Sequence, residues 1–344
     1  MAPSNQGDDN RALRVSEFVV LLAAIISTVS VIAPALGLEQ NTLFAVTLPI
    51  LFGLIFFVVA GRRVLSTRTI PTRIAIGGSP GAGKTVYTNV VAGRLGESES
   101  SILRFTPEAR TAQQIYTTIS DLRRKRWPPS TGRDEIDRYR GKVELLNRPF
   151  YSRLAQGRIE IDLELGDSAG QLWDEVADAD RREPSRLIES TFFEYVGESS
   201  ALLYFIAADT LQNDPTAVAD HVDDLLSTLQ VLRSIEVGGR PQLTKPIGVI
   251  ISKADLLTDV ELRTLRSVFD DTPSDPDARA LEPGFCASME RIEHLTIVMS
   301  RQVRAFEGFI VSALRAAQRP AGSADSLVRV ERPIEWAIRQ VLRS

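Results

Sequence analysis

Gly78-Ser79-Pro80-Gly81-Ala82-Gly83-Lys84-Thr85 follows the short apolar run Arg73-Ile74-Ala75-Ile76-Gly77 and precedes Val86–Leu95, a segment that reads as a helix. The stretch fits the pattern G-x-x-x-x-G-K-S/T, set between a strand and a helix as that pattern requires. Each residue type has a chemical reason. Glycines let successive backbone N–H groups turn inward around phosphate oxygens, and the helix N-terminus adds partial positive charge. Lys84 is placed to reach the β- and γ-phosphates, and Thr85 to offer its hydroxyl to Mg²⁺. Residues Gly78 through Val86 are therefore the expected phosphate-binding stretch.

Downstream, Lys142–Leu146 and Ile159–Leu165 read as strands, the second alternating as IEIDLEL and running into Gly166-Asp167-Ser168-Ala169-Gly170-Gln171. An apolar strand closed by Asp supplies a carboxylate for Mg²⁺, usually through water. Ala201–Ala207 (ALLYFIA) is a buried-strand run closed by Asp209. Pro215–Ile235 carries Val218, Val222, Leu225, Leu226, Leu229 and Leu232 at helical spacing. Pro246–Ile251 (PIGVII) is a further buried strand, followed by Ser252-Lys253-Ala254-Asp255. Met289–Val303 reads as helical and Val330–Leu342 as an amphipathic closing helix.

These motifs in this order resemble the Ras-like, TRAFAC-class P-loop GTPases. Asp167-Ser168-Ala169-Gly170-Gln171 differs from the small-GTPase DTAGQ only at Ser168. The resemblance implies that the Gly170 amide senses the γ-phosphate and that Gln171 orients the attacking water. Ser252-Lys253-Ala254-Asp255 resembles the guanine motif NKxD with Ser in place of Asn. Asp255 would accept from guanine N1 and N2, donors that adenine lacks, and Lys253 would lay its stem along the base. The last base-contacting loop, roughly S-A-K/L, has Ser312-Ala313-Leu314 as its candidate after the apolar Phe309-Ile310-Val311, with Cys286-Ala287-Ser288 as a rival. The metal set implied is Thr85, Asp167 and a switch threonine between them; Thr131 is the candidate, with Thr106 and Thr111 as rivals. The closing layout resembles bacterial membrane-anchored GTPase domains of the conflict-system, double-GTPase type. The fold expected is α/β, a P-loop NTPase with a mostly parallel sheet flanked by helices, its motifs at the C-terminal ends of the strands where open α/β sheets bind ligands.

The region before Arg73 has another character. Phe18–Leu36 and Leu43–Ala60 carry no charge, and at 1.5 Å per residue each spans roughly 27–28 Å, near the hydrocarbon thickness of a bilayer. Arg62, Arg63, Arg68 and Arg73 follow, whereas the intervening loop has Glu39 and no Lys or Arg. The positive-inside rule then places the C-terminal bulk in the cytoplasm. The expected layout is a tail at 1–17, a transmembrane α-hairpin at 18–36 and 43–60, a linker at 61–72 and a nucleotide-binding domain at 73–344, held at the inner membrane. A signal peptide ending near Ala33-Pro34-Ala35 is the alternative for the first segment.

Composition bounds the partners. The 344 residues include 40 Lys+Arg against 44 Asp+Glu, a net charge of −4, so no global basic signal points to nucleic acid. One cysteine, Cys286, excludes a disulfide framework, and two distant histidines argue against zinc. A local exception is Arg123-Arg124-Lys125-Arg126, followed by Trp127, at the end of a helix expected over Arg104–Leu122. That run reads as a solvated helix terminus, with anionic lipid contact or an arginine supplied to the nucleotide as alternatives. The function expected is a membrane-anchored GTP/GDP switch that hydrolyses GTP with Mg²⁺, has the bilayer and a protein effector or activator as partners, and turns over slowly alone. A membrane-associated ATPase and a nucleotide-binding scaffold are the alternatives.

Overall fold

The computed structural model of the chain describes residues 67–97, 103–128, 136–145, 158–168, 191–235, 242–270, 272, 281–318, 327 and 329–343. The expected membrane hairpin at 18–36 and 43–60 lies outside them. Among the described residues no helix is long and apolar enough to cross a membrane.

Seven strands are described: β1 (Thr67–Gly78), β2 (Leu103–Pro107), β3 (Ile136–Leu145), β4 (Arg158–Ser168), β5 (Ala201–Ala207), β6 (Ile247–Ser252) and β7 (Phe306–Ile310). They form one sheet in the order β2-β3-β4-β1-β5-β6-β7. The pairs β1–β5, β5–β6 and β6–β7 are parallel, and β2–β3 and β3–β4 are antiparallel. The parallel half matches the expectation; the antiparallel arm is an addition to it.

β5 explains why the sheet is covered on both faces. Every residue of ALLYFIA is buried. Side chains alternate across a strand, so Leu202, Tyr204 and Ile206 enter one core and Leu203, Phe205 and Ala207 the other. The first core is closed by α3 (Thr191–Glu198), α4 (Ala208–Asn213), α5 (Pro215–Ile235), α6 (Asp259–Phe269) and α7 (Pro283–Gln302). The second is closed by α1 (Lys84–Glu97), α2 (Ala109–Arg123), α8 (Ala313–Gln318) and α9 (Arg332–Val341). The predicted stripe on α5 is buried at Val218, Val222, Leu225, Leu229 and Leu232, and Leu226 is partly buried against the same core. Each such side chain contributes about 1.5–3 kcal/mol by leaving water.

Two expectations are corrected. Arg104–Leu122 is not one helix: Leu103–Pro107 is a strand whose burial alternates, with Leu103 and Phe105 in and Arg104 and Thr106 out. Pro107 cannot continue a helix, and α2 starts only at Ala109. Likewise the stretch 61–72 is not all linker, because β1 begins at Thr67. The β-branched Thr67, Thr69, Ile70 and Thr72 suit a strand better than their polarity suggests.

Candidate nucleotide-binding site

Because β1, β5, β6 and β7 are mutually parallel, their C-terminal ends meet at one edge of the sheet. Gly78, Ala207, Ser252 and Ile310 end those strands, so each delivers its following loop to the same edge.

The expected phosphate loop is set by backbone conformation. Gly78, Gly81 and Gly83 have φ of 123°, 71° and 76°. At Gly78 a side chain is also excluded sterically, because a Cβ would lie 2.2 Å from the Phe205 carbonyl oxygen of the paired strand. Lys84 is 6% exposed, and its Nζ donates to the carbonyls of Gly78 and Ser79 at 2.7 and 2.8 Å. A buried ammonium is tolerated only when so paired, and here the pairing fixes it against the loop. Ser79 and Ala82 are buried, Pro80 and Gly81 are exposed, and the Val86 side chain belongs to the core.

Thr85 Oγ1 donates to Asp167 Oδ2 at 2.6 Å, joining residues 82 positions apart. Asp167 is fully buried. Behind the pair, Asn89 Nδ2 donates to the Thr85 carbonyl at 2.8 Å and to the Tyr139 hydroxyl at 2.9 Å. Burial and the nearby Asp167 push the Tyr139 phenol up, holding it neutral. Ser168, the departure from DTAGQ, donates to the Ile76 carbonyl at 2.8 Å and ties β4 to β1. Gly166 admits Tyr195, whose hydroxyl would lie 2.0 Å from a Cβ there. The Arg73 and Arg138 guanidiniums lie 5.0 and 5.4 Å from the Tyr195 ring centroid.

The base-side residues also converge. Ser252 Oγ donates to the Ala82 carbonyl at 2.6 Å and lies 3.3 Å from the Ile206 carbonyl. The hydroxyl that replaces the expected Asn thus clamps the phosphate loop. Lys253 adopts a left-handed conformation, φ 53° and ψ 32°, and its Nζ pairs with Asp209 Oδ2 at 2.8 Å. Asp255 sits in a single 3₁₀ turn, Ala254–Leu256, and accepts a short hydrogen bond from Ser312 Oγ. Ser312 also caps α8 by accepting from the Arg315 N–H at 3.2 Å, which leaves Ala313 and Leu314 half-buried at the helix start. The rival Cys286-Ala287-Ser288 lies within α7, with Ser288 wholly buried.

Gly170, Gln171 and Thr131 lie outside the described residues. The rivals of Thr131 are placed elsewhere. Thr106 pairs with Lys142, which pairs with Asp162, so it sits about 17 Å along the strands from Asp167 at 3.3 Å per residue. Thr111 is buried and accepts the Arg140 N–H at 3.0 Å. β3, by contrast, begins at the level of the site, with Ile136 opposite Ser168 and Asp137 opposite Asp167. Thr131 precedes its first residue closely in sequence.

Mg²⁺ fits the chemistry of the groups present: a hydroxyl and a buried carboxylate at 2.6 Å beside a lysine-bearing loop are hard oxygen donors of the kind that cation takes. Asn89, Tyr139 and Asp209 stand at the site without belonging to any of the sequence motifs. The one signal for Asp209 was its place just past β5, level with the other strand ends.

No protein-family model matches the sequence, and no curated protein matches it. Among solved structures, the Arl6 BBS3 small GTPase from Trypanosoma brucei with bound nucleotide analogue GppNp aligns at 12% identity and a TM-score of 0.37. The alignment covers 79% of this chain and 98% of that one.

Proposed function

We propose that the chain is a membrane-anchored, Ras-like GTPase that works as a GTP/GDP switch. The observation that carries the reading is the convergence of two side-chain pairs at one sheet edge: Thr85–Asp167 beside Lys84, and Ser312–Asp255 beside Lys253. The first suits a nucleotide triphosphate with its metal, the second a base that offers two donors.

In this reading the loop amides and Lys84 bind the β- and γ-phosphates and spread their charge onto the protein. Thr85 and Asp167 would hold Mg²⁺, which neutralises phosphate charge when bound. Gln171 orients a water toward the γ-phosphorus, and the Gly170 amide couples the presence of that phosphate to the segment after β4. Ser312 fixes the Asp255 carboxylate, so that guanine can donate to it through N1 and N2, whereas adenine lacks both donors and forgoes those charge-assisted hydrogen bonds. Phosphate release from GTP by the full chain tests hydrolysis. Slow release in the wild type and loss in Gln171→Leu are expected, and equal release in both would refute the role of Gln171.

A further inference from the structure

We propose that the end of α2 is a docking surface for an anionic lipid bilayer. The proposal rests on the reading of 18–60 as a membrane hairpin. In that reading six residues, 61–66, join the hairpin to β1, about 25 Å of chain at full extension.

The basic run is hydrogen-bonded into the C-terminal cap of α2. Arg126 N–H donates to the Asp121 carbonyl at 2.8 Å and Lys125 N–H to the Leu122 carbonyl at 3.0 Å, the two-bond pattern that ends many helices. Lys125 takes the left-handed position of that cap, φ 58°, where glycine is the usual residue. The cap turns Arg123, Arg124, Lys125 and Arg126 outward in succession, and all four are exposed. Arg126 pairs with Asp121 at 2.9 Å; among the described residues the other three have no ion-pair partner.

Exposed aromatic side chains share this end of the helix. Tyr116 and Trp127 are 76% and 68% exposed, more than any other large hydrophobic side chain described. Tyr116, Ser120 and Arg123 lie at i, i+4 and i+7 of α2, one face of a helix. Beside them runs a groove of about 500 Å³ whose lining includes Ile115, Tyr116, Ile119, Arg123 and Arg124. An aliphatic groove lined by Tyr116, Arg123 and Arg124, with an exposed tryptophan directly after the basic run, matches the boundary between headgroups and acyl chains. On a chain of net charge −4, this concentrated cationic patch selects an anionic surface, and each basic residue there raises binding about fivefold.

The test uses the full chain in nanodiscs of phosphatidylcholine alone or with phosphatidylglycerol, with brominated acyl chains as quenchers. The Trp127 signal is the difference between wild type and Trp127→Phe. It should be quenched in anionic discs only and lost when the four basic residues are changed to Gln. Lys125→Gly is the sharper variant: glycine suits the cap, so thermal stability holds or rises while quenching falls. Quenching that ignores lipid charge, or persists in the four-Gln variant, overturns the proposal and leaves the patch to a protein partner. If the chain fails to enter discs, the hairpin reading fails. The same chain mixed with vesicles then decides the patch alone: retention on anionic vesicles supports it, and loss on both compositions overturns it.

Discussion

The proposed phosphate end and the proposed base end of the site are built by different means. At the phosphate end, conformation does most of the work: three glycines at positive φ and a lysine held by two carbonyls of its own loop. At the base end, side chains from distant strands do it: Ser252 reaches 170 residues back to Ala82, and Ser312 reaches 57 residues back to Asp255. Backbone recognition is indifferent to which base follows the phosphates, whereas side-chain recognition is what selects one. Ser252 joins the two ends, so base-side changes should reach phosphate binding through one hydroxyl.

Lys84→Ala should have the largest effect, lowering turnover about 10²- to 10³-fold as for the loss of one preorganised donor, with every base affected alike in a nucleotide-binding titration. Asp255→Asn should act on the other end alone. Binding of guanine nucleotides should weaken by about 1–3 kcal/mol, while the triphosphate-dependent part, read from the affinity ratio of GTP to GDP, stays constant. Ser252→Ala should blur the separation. It leaves the Ala82 carbonyl without its donor and should cost about 1–3 kcal/mol in thermal unfolding, with GTP and ATP weakened together. Asp209→Asn should be smallest. The Lys253–Asp209 pair is 35% and 42% exposed, and such pairs contribute about 1 kcal/mol or less, visible as a modest rise in KM at unchanged kcat.

The same contrast explains what was legible in the sequence. Loops dictated by backbone conformation leave local patterns, so Gly78–Thr85 could be read directly. The buried runs Ala201–Ala207 and Ile247–Ser252 were equally plain, since a strand covered on both faces must be apolar throughout. Ser312 could be preferred over Ser288 because an apolar strand preceded it. The clamp from Ser252 to Ala82 left no local trace, because it exists only once β6 lies two strands from β1 in the sheet. β2 was hidden for another reason: its five residues adjoin a long amphipathic helix whose periodicity overran it. Only the alternation of Leu103 and Phe105 with Arg104 and Thr106, closed by Pro107, marks the strand.

In the proposed function the base end selects guanine through Asp255. Competition among GTP, ATP and xanthosine triphosphate for the wild type and for Asp255→Asn tests it most directly. The wild type should prefer GTP, and the variant should shift its preference to xanthosine triphosphate, whose altered base edge matches an amide. Equal affinity of the wild type for ATP, or an unchanged order of preference in the variant, would contradict it.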